Sequence, residues 1–466
     1  MQDTRQWAIE QFGSVELGDL RRTERAIEMA DRMARRPSDT LPKQMNDWHI
    51  QKASYRLLDN EAVTLEALSA SHWEQTRTLA GQTGDTVLMV QDITELDYSS
   101  HKVTEGLGPI GDHRGRGIMV HNTLAVSSDT EQVLGLAYQQ AWIRKDIVYK
   151  KTETKAQRHK RQDKQSARWS QAVTVIGKPP EGVRWVHVGD RECDFFDFFQ
   201  TAADTEVDFC IRILQNRRIE QWEDGDPRYL VSDLRKLPEM GHRSLEIAAK
   251  PGQKKRTAEL AISWQQVTIR SPRNRPDLAT MLTVWAVRTW EPNPPSDVEP
   301  IEWLLLTSVE VDTLEDALER IDWYTHRWVV EDYHSCLKTG CAIEKSQLQH
   351  GDRLQRLLGF LAILAVRLLQ LRDWSRTKPN LLALTVVQPV LVQIIAYQTH
   401  RNPNTMTVHE FWRAVAKIGG FPGRTSDGQP GWKRLWHGWL RLLDWAEGVH
   451  FAQNLPPLQD VGNDKS

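Results

Sequence analysis

The spacing of apolar residues changes along the chain, and each change predicts a different kind of element. Residues 5–68 carry apolar side chains at helical spacing, and Asp19 precedes one such segment as a helix N-cap would. On a helical wheel of this segment, four arginines fall within about 60° of one another: Arg21, Arg25, Arg32 and Arg36. The pattern predicts a helical region with a basic stripe, which is either a solvated face or a surface that lies against DNA phosphates.

Short apolar runs replace the helical spacing after residue 85 and predict strands. Two of these runs, residues 86–92 and 183–190, end in an acidic residue, Asp92 and Asp190. Further runs with strand character occupy residues 118–126, 132–138, 209–213 and 303–308. Helices are predicted between the strands at residues 150–172 and 195–202. Because ligands of α/β sheets gather at the carboxyl ends of strands, Asp92 and Asp190 are candidate binding residues.

Residues 217–300 are polar and irregular, and they predict a β-rich insertion within a larger α/β domain. Four short segments of this region have strand character: residues 243–247, 256–262, 266–269 and 282–288. Helices are predicted from Thr313 to the end of the chain. The apolar run of residues 357–371 is short for a membrane span and is interrupted by Arg367, so we expect a buried core helix there.

Composition limits the class of protein without identifying it. The chain has 466 residues, of which 40% are hydrophobic and 26% charged, enough for a sizeable core and for two to four domains. A net charge of −2 gives no overall nucleic-acid signal, but the first sixty residues carry ten Lys or Arg. Residues 150–168 carry eight more against two acids. Basic faces can therefore coexist with an acidic site in one chain.

The four cysteines form no Cys-x-x-Cys pair: Cys193, Cys210, Cys336 and Cys341. This spacing indicates neither a zinc ribbon nor a disulfide framework, and it fits a reducing cytoplasm. The first residues lack the apolar stretch of a signal peptide. We therefore expect a cytoplasmic protein.

The segment around Glu331 is predicted to be one helix with two different faces. Four polar residues share an arc of about 60°: Tyr324, Arg327, Glu331 and Lys338. The opposite arc is apolar and is expected to pack inward: Val329, Val330, Tyr333, Cys336 and Leu337. Arg, Lys and Tyr side chains can bind phosphate, whereas Glu331 would repel it unless a cation lies between them. Glu331 is therefore either a metal ligand or the partner of Arg327 in an ordinary i,i+4 salt bridge.

Trp328 falls beside the polar arc, where a large aromatic ring suits packing against a sugar or a base.

Two strand-end aspartates and one helical glutamate can hold two Mg²⁺ ions for phosphoryl transfer. Ligation by oxygen alone suits Mg²⁺ or Mn²⁺ rather than zinc. Chemistry leaves four neighbouring acids open as alternatives: Glu95, Asp97, Glu192 and Asp194.

Two motifs resemble signatures of known enzymes. Residues 190–194, Asp-Arg-Glu-Cys-Asp, resemble the Asp-Arg-Glu-Ala-Asp signature of bacterial DDE transposases, with Cys193 in place of Ala. The residues of the polar arc on the Glu331 helix have the Tyr-(2)-Arg-(3)-Glu-(6)-Lys spacing of the insertion-sequence-four family. Residues 17–23, 299–308 and 365–372 are also similar to that family. Divergence is greatest in the insertion and after about residue 375.

The resemblance implies an α/β protein with a ribonuclease-H-like catalytic domain at residues 69–370, including the β-rich insertion. It implies a helical DNA-binding domain at residues 1–68 and a helical dimerisation domain at residues 371–466. Asp92, Asp190 and Glu331 would bind two Mg²⁺ ions, for which Mn²⁺ can substitute. The implied activity is cut-and-paste transposition: the transposon end is nicked, a hairpin forms and is reopened, and the 3′ end joins target DNA.

The resemblance also assigns DNA contacts. Trp303 matches the family's base-stacking aromatic, and Trp328 matches a second aromatic near the distorted end. Three residues would hold the phosphates of that end: Tyr324, Arg327 and Lys338. Three others match the N-terminal DNA-binding element: Arg21, Arg22 and Arg25. The implied partners are double-stranded DNA, as transposon ends and target, and a second copy of the chain, acting in a bacterial cytoplasm on the nucleoid. A nuclease without strand transfer and a catalytically silent DNA-binding relative remain alternatives.

Overall fold

A computed structural model describes most of the chain. The described residues are 4–145, 166–220, 228–247, 256–273, 275–296, 298–376, 378–424 and 427–455. They form two compact units. The helical unit contains Met1–Ala62, Ser335–Ser346 and Phe360–Ser466, and the sheet unit contains Val63–His334 and Gln347–Gly359.

One mixed sheet dominates the sheet unit. Its described strands are β1 (Thr86–Asp97), β2 (Gly108–Ile110), β3 (Gly115–Ser127), β4 (Val133–Trp142), β5 (Arg184–Gly189), β6 (Asp208–Arg212), β7 (Gly241–Ile247), β8 (Arg256–Arg270), β9 (Met281–Trp290) and β10 (Glu302–Thr307). Their order is β2-β3-β1-β5-β6-β10-β9-β8-β7, and β4 also pairs with β3. The pairs β1–β5 and β5–β6 are parallel, whereas the pairs β1–β3, β3–β4 and β6–β10 are antiparallel.

Strand β1 continues past Asp92, so the prediction that the strand ends in this acid is wrong. Parallel pairing with β5 stops at Val90, but antiparallel pairing with β3 continues as far as Asp97. The extra pairing keeps the backbone extended, because its N–H and C=O groups still have partners on β3. Asp92 therefore lies within a strand but beyond the end of the parallel pair.

Helices cover the sheet. They are α5 (Leu65–Gly81), α6 (Ala167–Ile176), α7 (Phe196–Asp204), α8 (Leu230–Leu234), α9 (Leu314–Thr325) and α10 (Trp328–Ser335). An apolar cluster packs between α6, α7 and the sheet, and within it the rings of Phe199 and Phe209 stack with centroids 5.0 Å apart. Of the helix predicted at residues 150–172, the part up to residue 165 lies outside the described residues.

The predicted insertion extends the same sheet beyond β10 with three strands, β9, β8 and β7. Residues 256–262 and 266–269, which were expected to form two strands, belong to the single strand β8. The residues between them keep the ladder unbroken, because Ser263 and Gln265 pair with Arg288 and Ala286 of β9.

The helical unit contains α1 (Thr4–Phe12), α2 (Leu20–Arg35), α3 (Leu41–Met45), α4 (Trp48–Leu58), α12 (Pro389–Thr399), α13 (Val408–Ile418) and α14 (Trp432–Gln453). Asp19 caps α2 as predicted, since its carboxylate accepts a hydrogen bond from the Arg21 N–H. Aromatic side chains fill the core of this unit, for example Trp412 against Trp439 with ring centroids 5.3 Å apart.

Helix α11 (Gly351–Arg376) is the one described helix with the length and hydropathy of a membrane span. Of its most apolar stretch, 83% is buried inside the protein, as expected for a core helix. The predicted fold class is confirmed: an α/β catalytic domain with a β-rich insertion, accompanied by helical N-terminal and C-terminal regions.

Candidate active site

Strands β1 and β5 bring Asp92 and Asp190 to one edge of the sheet. Val90 pairs with Val188 in parallel register, and each aspartate lies two residues after its valine. Because side chains alternate between the faces of a strand, both carboxylates follow the same face as these valines. The Asp190 carboxylate also accepts a hydrogen bond of 2.8 Å from the Glu192 N–H, which begins a short 3₁₀ turn.

The helix that carries Glu331 is interrupted, so the prediction of one continuous helix with a single polar stripe is wrong. Helix α9 ends at Thr325 and α10 begins at Trp328. Between them His326 and Arg327 donate backbone N–H bonds three residues back, to Trp323 and Tyr324. This tight turn changes the direction in which side chains point.

The change of direction separates Tyr324 from Glu331. Tyr324 is 3% exposed, whereas the side chain of Glu331 is 46% exposed. The apolar arc nevertheless packs inward as predicted, and all five of its side chains are buried: Val329, Val330, Tyr333, Cys336 and Leu337.

Arg327 places a cation between two carboxylates of the site. Its Nη1 atom lies 3.5 Å from Asp92 Oδ2 and 3.3 Å from Glu331 Oε1. The i,i+4 salt bridge between Arg327 and Glu331 that the sequence allowed is therefore present. The same guanidinium also contacts Asp92, which belongs to the distant strand β1. The guanidinium also stacks 4.7 Å from the ring centre of Trp328, which is 59% exposed.

The electrostatic environment of Asp92 is unfavourable for its negative charge. Burial, followed by the charge of Asp190, raises the pKa of Asp92 to about 7. Glu331 contributes in the same direction, and the Ile93 N–H and the Arg327 guanidinium oppose the shift. Carboxylates that repel one another in this way favour a bound cation.

His334 joins this group, although the sequence indicated no role for it. An imidazole nitrogen of His334 and carboxylate oxygens of Asp92 and Glu331 all lie within 4.8 Å of one another. Asp190 is not part of that tight group among the described residues. The spacing Glu331-x-x-His334 is the signal that sequence reasoning missed, because residues three apart share one face of a helix.

The alternative acids on β1 have other roles. Glu95 and Asp97 alternate with Asp92 and so point to the opposite face. The two carboxylate oxygens of Glu95 share a bifurcated hydrogen bond from the Gly111 N–H, at 2.9 and 3.0 Å. Asp97 accepts a bond of 2.8 Å from the Ser99 N–H. Both residues hold loops at the far end of the strand.

The two alternative acids that follow β5, Glu192 and Asp194, have different surroundings from Asp190. Asp194 is buried, pairs with Arg217, and accepts backbone N–H bonds of 2.6 and 2.7 Å from Leu214 and Gln215. These contacts occupy both carboxylate oxygens of Asp194, which thereby stabilises the turn after β6. Glu192 is exposed. On geometry, Asp190 is the acid of this segment that faces Asp92.

Two of the predicted DNA contacts adjoin each other on the sheet unit. The rings of Trp303 on β10 and Tyr324 on α9 meet edge to face, with centroids 5.3 Å apart. Trp303 is partly exposed, and burial raises the pKa of Tyr324. Lys338 lies in the helical unit, within the π-helical turn Cys336–Gly340, where its Nζ is 3.7 Å from Glu344 Oε1.

The predicted basic stripe on α2 lines a groove of about 850 Å³ in the helical unit. All four of its arginines face this groove: Arg21, Arg25, Arg32 and Arg36. Glu28 pairs with two of them, Arg25 at 2.7 Å and Arg32 at 3.4 Å. Arg22 points elsewhere, because its Nη1 donates a hydrogen bond of 2.7 Å to the Leu17 carbonyl.

The residues present fit a divalent cation. The donors are carboxylate oxygens with one imidazole nitrogen, and a guanidinium already occupies a position between Asp92 and Glu331. All four cysteines are buried and free, and among the described residues none of them belongs to the group of possible ligands around Asp92.

Three family models match the chain. Transposase DDE domain matches residues 187–367, Transposase DNA-binding matches residues 4–63, and Transposase Tn5 dimerisation domain matches residues 363–456. Asp190 and Glu331 lie within the DDE match, and Asp92 lies before it. The fold, the acidic site and the DDE match define a DDE transposase, an enzyme that cleaves DNA and transfers strands.

The chain belongs to the Tn5-like DDE transposases, because the DNA-binding, DDE and dimerisation models match in that order and together span most of it. Its partners are therefore DNA and a second copy of the same chain. The enzyme uses a divalent metal, as the DDE domain implies and as the group of Asp92, Glu331 and His334 allows.

Proposed function

We propose that this transposase moves DNA by cut-and-paste transposition through a hairpin intermediate, with Asp92, Asp190 and Glu331 as its metal-binding triad. The observation that carries the proposal is the register of β1 and β5, which directs both aspartates to one sheet edge. The contact of Arg327 with both Asp92 and Glu331 links the third acid to that edge.

The cofactor proposed is Mg²⁺, for which Mn²⁺ can substitute, with two ions per site. When bound, such ions activate the attacking oxygen and stabilise the leaving one in an in-line displacement. The carboxylates of the triad would hold them, because hard oxygen donors suit both metals. Asp92 must lose its proton to take part, and its pKa of about 7 keeps that proton exchangeable near neutral pH.

The chain's own residues would position the DNA end. Arg327 can bind a phosphate next to the acids, since its guanidinium already lies between Asp92 and Glu331. Tyr324 and Lys338 are proposed to hold neighbouring phosphates. A hairpin requires a sharp bend and an extruded base. The partly exposed ring of Trp303 would stack on that base, and the exposed ring of Trp328 would pack against the distorted end.

The domain boundaries proposed are residues 1–68 for DNA binding, 69–370 for catalysis and 371–466 for dimerisation. Arg21, Arg22 and Arg25 are proposed to contact the transposon end. Arg21 and Arg25 line the basic groove, which supports a direct DNA contact for these two residues. Arg22 instead donates a hydrogen bond to the Leu17 carbonyl, which favours an indirect role for it in DNA binding. A bacterial cytoplasmic location, on the nucleoid when bound to DNA, follows from this activity.

A plasmid assay tests the proposal. A supercoiled donor carrying the element's own terminal repeats is incubated with full-length protein and Mg²⁺, and nicked, hairpin and joined products are separated on denaturing gels. We expect Glu331→Gln to abolish all three products and Glu192→Gln, the neighbouring exposed acid, to retain them. Full cleavage by Glu331→Gln would refute the triad. Joining of pre-cut ends separates a transposase mechanism from nuclease activity alone.

The hairpin step has its own test. Trp303→Ala should reduce hairpin formation more than first-strand nicking, because stacking is needed only once the base leaves the helix. Trp264→Ala, a partly buried tryptophan on β8, is the matched control and should affect both steps equally. Equal loss of nicking and hairpin product in Trp303→Ala would contradict base stacking.

A further inference from the structure

A row of polar side chains crosses three neighbouring strands behind the proposed metal site. Asp92 on β1 is directly opposite Asn122 on β3, and Asn122 is directly opposite Gln139 on β4. Paired residues point to the same face of a sheet, so the three side chains form one transverse row. Asn122 and Gln139 are fully buried, and burial of two amides is costly unless they are hydrogen-bonded.

Helix α10 supplies the partners of this row. Asn122 Nδ2 lies 3.0 Å from His334 Nε2, and Gln139 Nε2 lies 2.7 Å from Asn122 Oδ1 and 3.2 Å from the Tyr333 hydroxyl. The chain of contacts runs from the core to His334, whose imidazole is buried and within 4.8 Å of the Asp92 and Glu331 carboxylates.

The two amides can hold the imidazole in either tautomer. If both amide groups rotate by half a turn, the Asn122 oxygen faces His334 Nε2, and the Asn122 nitrogen faces the Gln139 oxygen. The contacts of Asn122 with His334 and with Gln139 are then kept, with donor and acceptor exchanged in each. In that arrangement Nε2 carries the proton and Nδ1 keeps its lone pair. Metal-binding histidines usually donate their other N–H to a fixed oxygen in this way.

We propose that His334 is a further ligand, beside Asp92 and Glu331, of the divalent cation in this site, and that Asn122 and Gln139 position its ring. This inference rests on the proposed metal function of the two carboxylates. An imidazole donor raises affinity for Mn²⁺ relative to Mg²⁺, because Mg²⁺ prefers oxygen ligands alone. The site would therefore prefer Mn²⁺ more strongly than an all-carboxylate site does.

The direct test is spectroscopic and needs no activity. Full-length protein loaded with Mn²⁺ is measured by electron spin echo envelope modulation, which detects ¹⁴N coupling from a coordinated imidazole. We expect ¹⁴N modulation in the unaltered protein and its loss in His334→Gln. Bound Mn²⁺ without ¹⁴N modulation in the unaltered protein would overturn the proposal, whether or not the variant folds.

Binding measurements separate this inference from the proposed function. Titration with Mn²⁺ and with Mg²⁺ should show that His334→Gln weakens Mn²⁺ about tenfold or more and Mg²⁺ less, and that Asn122→Leu weakens Mn²⁺ about tenfold. His187→Gln, a buried histidine on the opposite face of the sheet, is the control and should change neither. If Asp92→Asn abolishes Mn²⁺ binding and His334→Gln leaves it unchanged, only the histidine inference fails. If Asp92→Asn also leaves it unchanged, the metal centre itself is refuted.

Discussion

Replacing Asp92 by Asn should stabilise the metal-free protein, and the effect should grow with pH. The folded pKa of about 7 lies above the ordinary value of 3.8, so the folded state holds the proton more tightly than the unfolded state. The stability that comes from this proton is fully present below about pH 4 and is lost as the pH rises through 7. Asparagine resembles the protonated carboxyl group and carries no charge to desolvate.

The pKa difference fixes the size of the effect. A change from 3.8 to about 7 corresponds to about 4 kcal/mol once Asp92 is ionised. The same relation gives about 4 kcal/mol at pH 8 and about 2 kcal/mol at pH 5. Solvent screens the Asp92 charge little, because its side chain is only 14% exposed.

Urea unfolding in EDTA, followed by circular dichroism at pH 5 and pH 8, measures the difference. Asp112→Asn, an exposed acid paired with Arg114, is the control and should shift stability by less than about 0.5 kcal/mol. Added Mn²⁺ should stabilise the unaltered protein and not Asp92→Asn, because a ligand stabilises only the state that binds it. Equal stability of the two proteins at pH 8 would refute the electrostatic reasoning.

Three further changes test other parts of the structure. Gly189→Ala should slow DNA nicking more than tenfold while the protein still folds, because an added Cβ collides with the Cys193 sulfur and displaces the turn that follows β5. Glu28→Gln should tighten DNA binding about three- to tenfold at low salt in a filter-binding assay, since it frees two arginines of the basic groove. Trp328→Ala should reduce cleavage with less than about 0.5 kcal/mol of destabilisation, whereas Trp323→Ala, which is buried, should cost about 3–5 kcal/mol.

Each of these expectations has a contrary result. Normal nicking by Gly189→Ala would show that the turn tolerates a side chain. Unchanged DNA affinity of Glu28→Gln at low salt would show that the basic groove does not contact DNA. A large stability loss in Trp328→Ala would assign that ring to packing instead of to a DNA contact.

The strands and helices were largely predictable because their signals are local. Alternation and compact apolar runs located β3, β4, β5, β6 and β10, and the N-cap at Asp19 located the start of α2. Two errors came from tertiary pairing: β1 runs on because β3 continues beside it, and β8 is continuous because β9 pairs with its middle. The residues of β1 do not identify β3 as its pairing partner, and the residues of β8 do not identify β9.

The site was predictable only in part for the same reason. The acids were found from strand ends and from resemblance, but the contact between Arg327 and Asp92 crosses from a helix to a distant strand. A helical wheel assumes an unbroken helix, so it grouped Tyr324 with Glu331 across a turn that separates them. The spacing of His334 from Glu331 is visible in the sequence, but the contact of His334 with Asn122 on β3 is not.

The order of strands also sets when the residues of the site can come together during synthesis. Strand β1 can pair with β3 soon after both leave the ribosome, because a short connection closes at little entropic cost. Its parallel partner β5 comes much later, and 235 residues separate Asp92 from Arg327. The acids of the site can therefore come together only after the chain has been made as far as Glu331. A chain that stops before α10 lacks both Glu331 and His334, so it holds only part of this group of possible metal ligands.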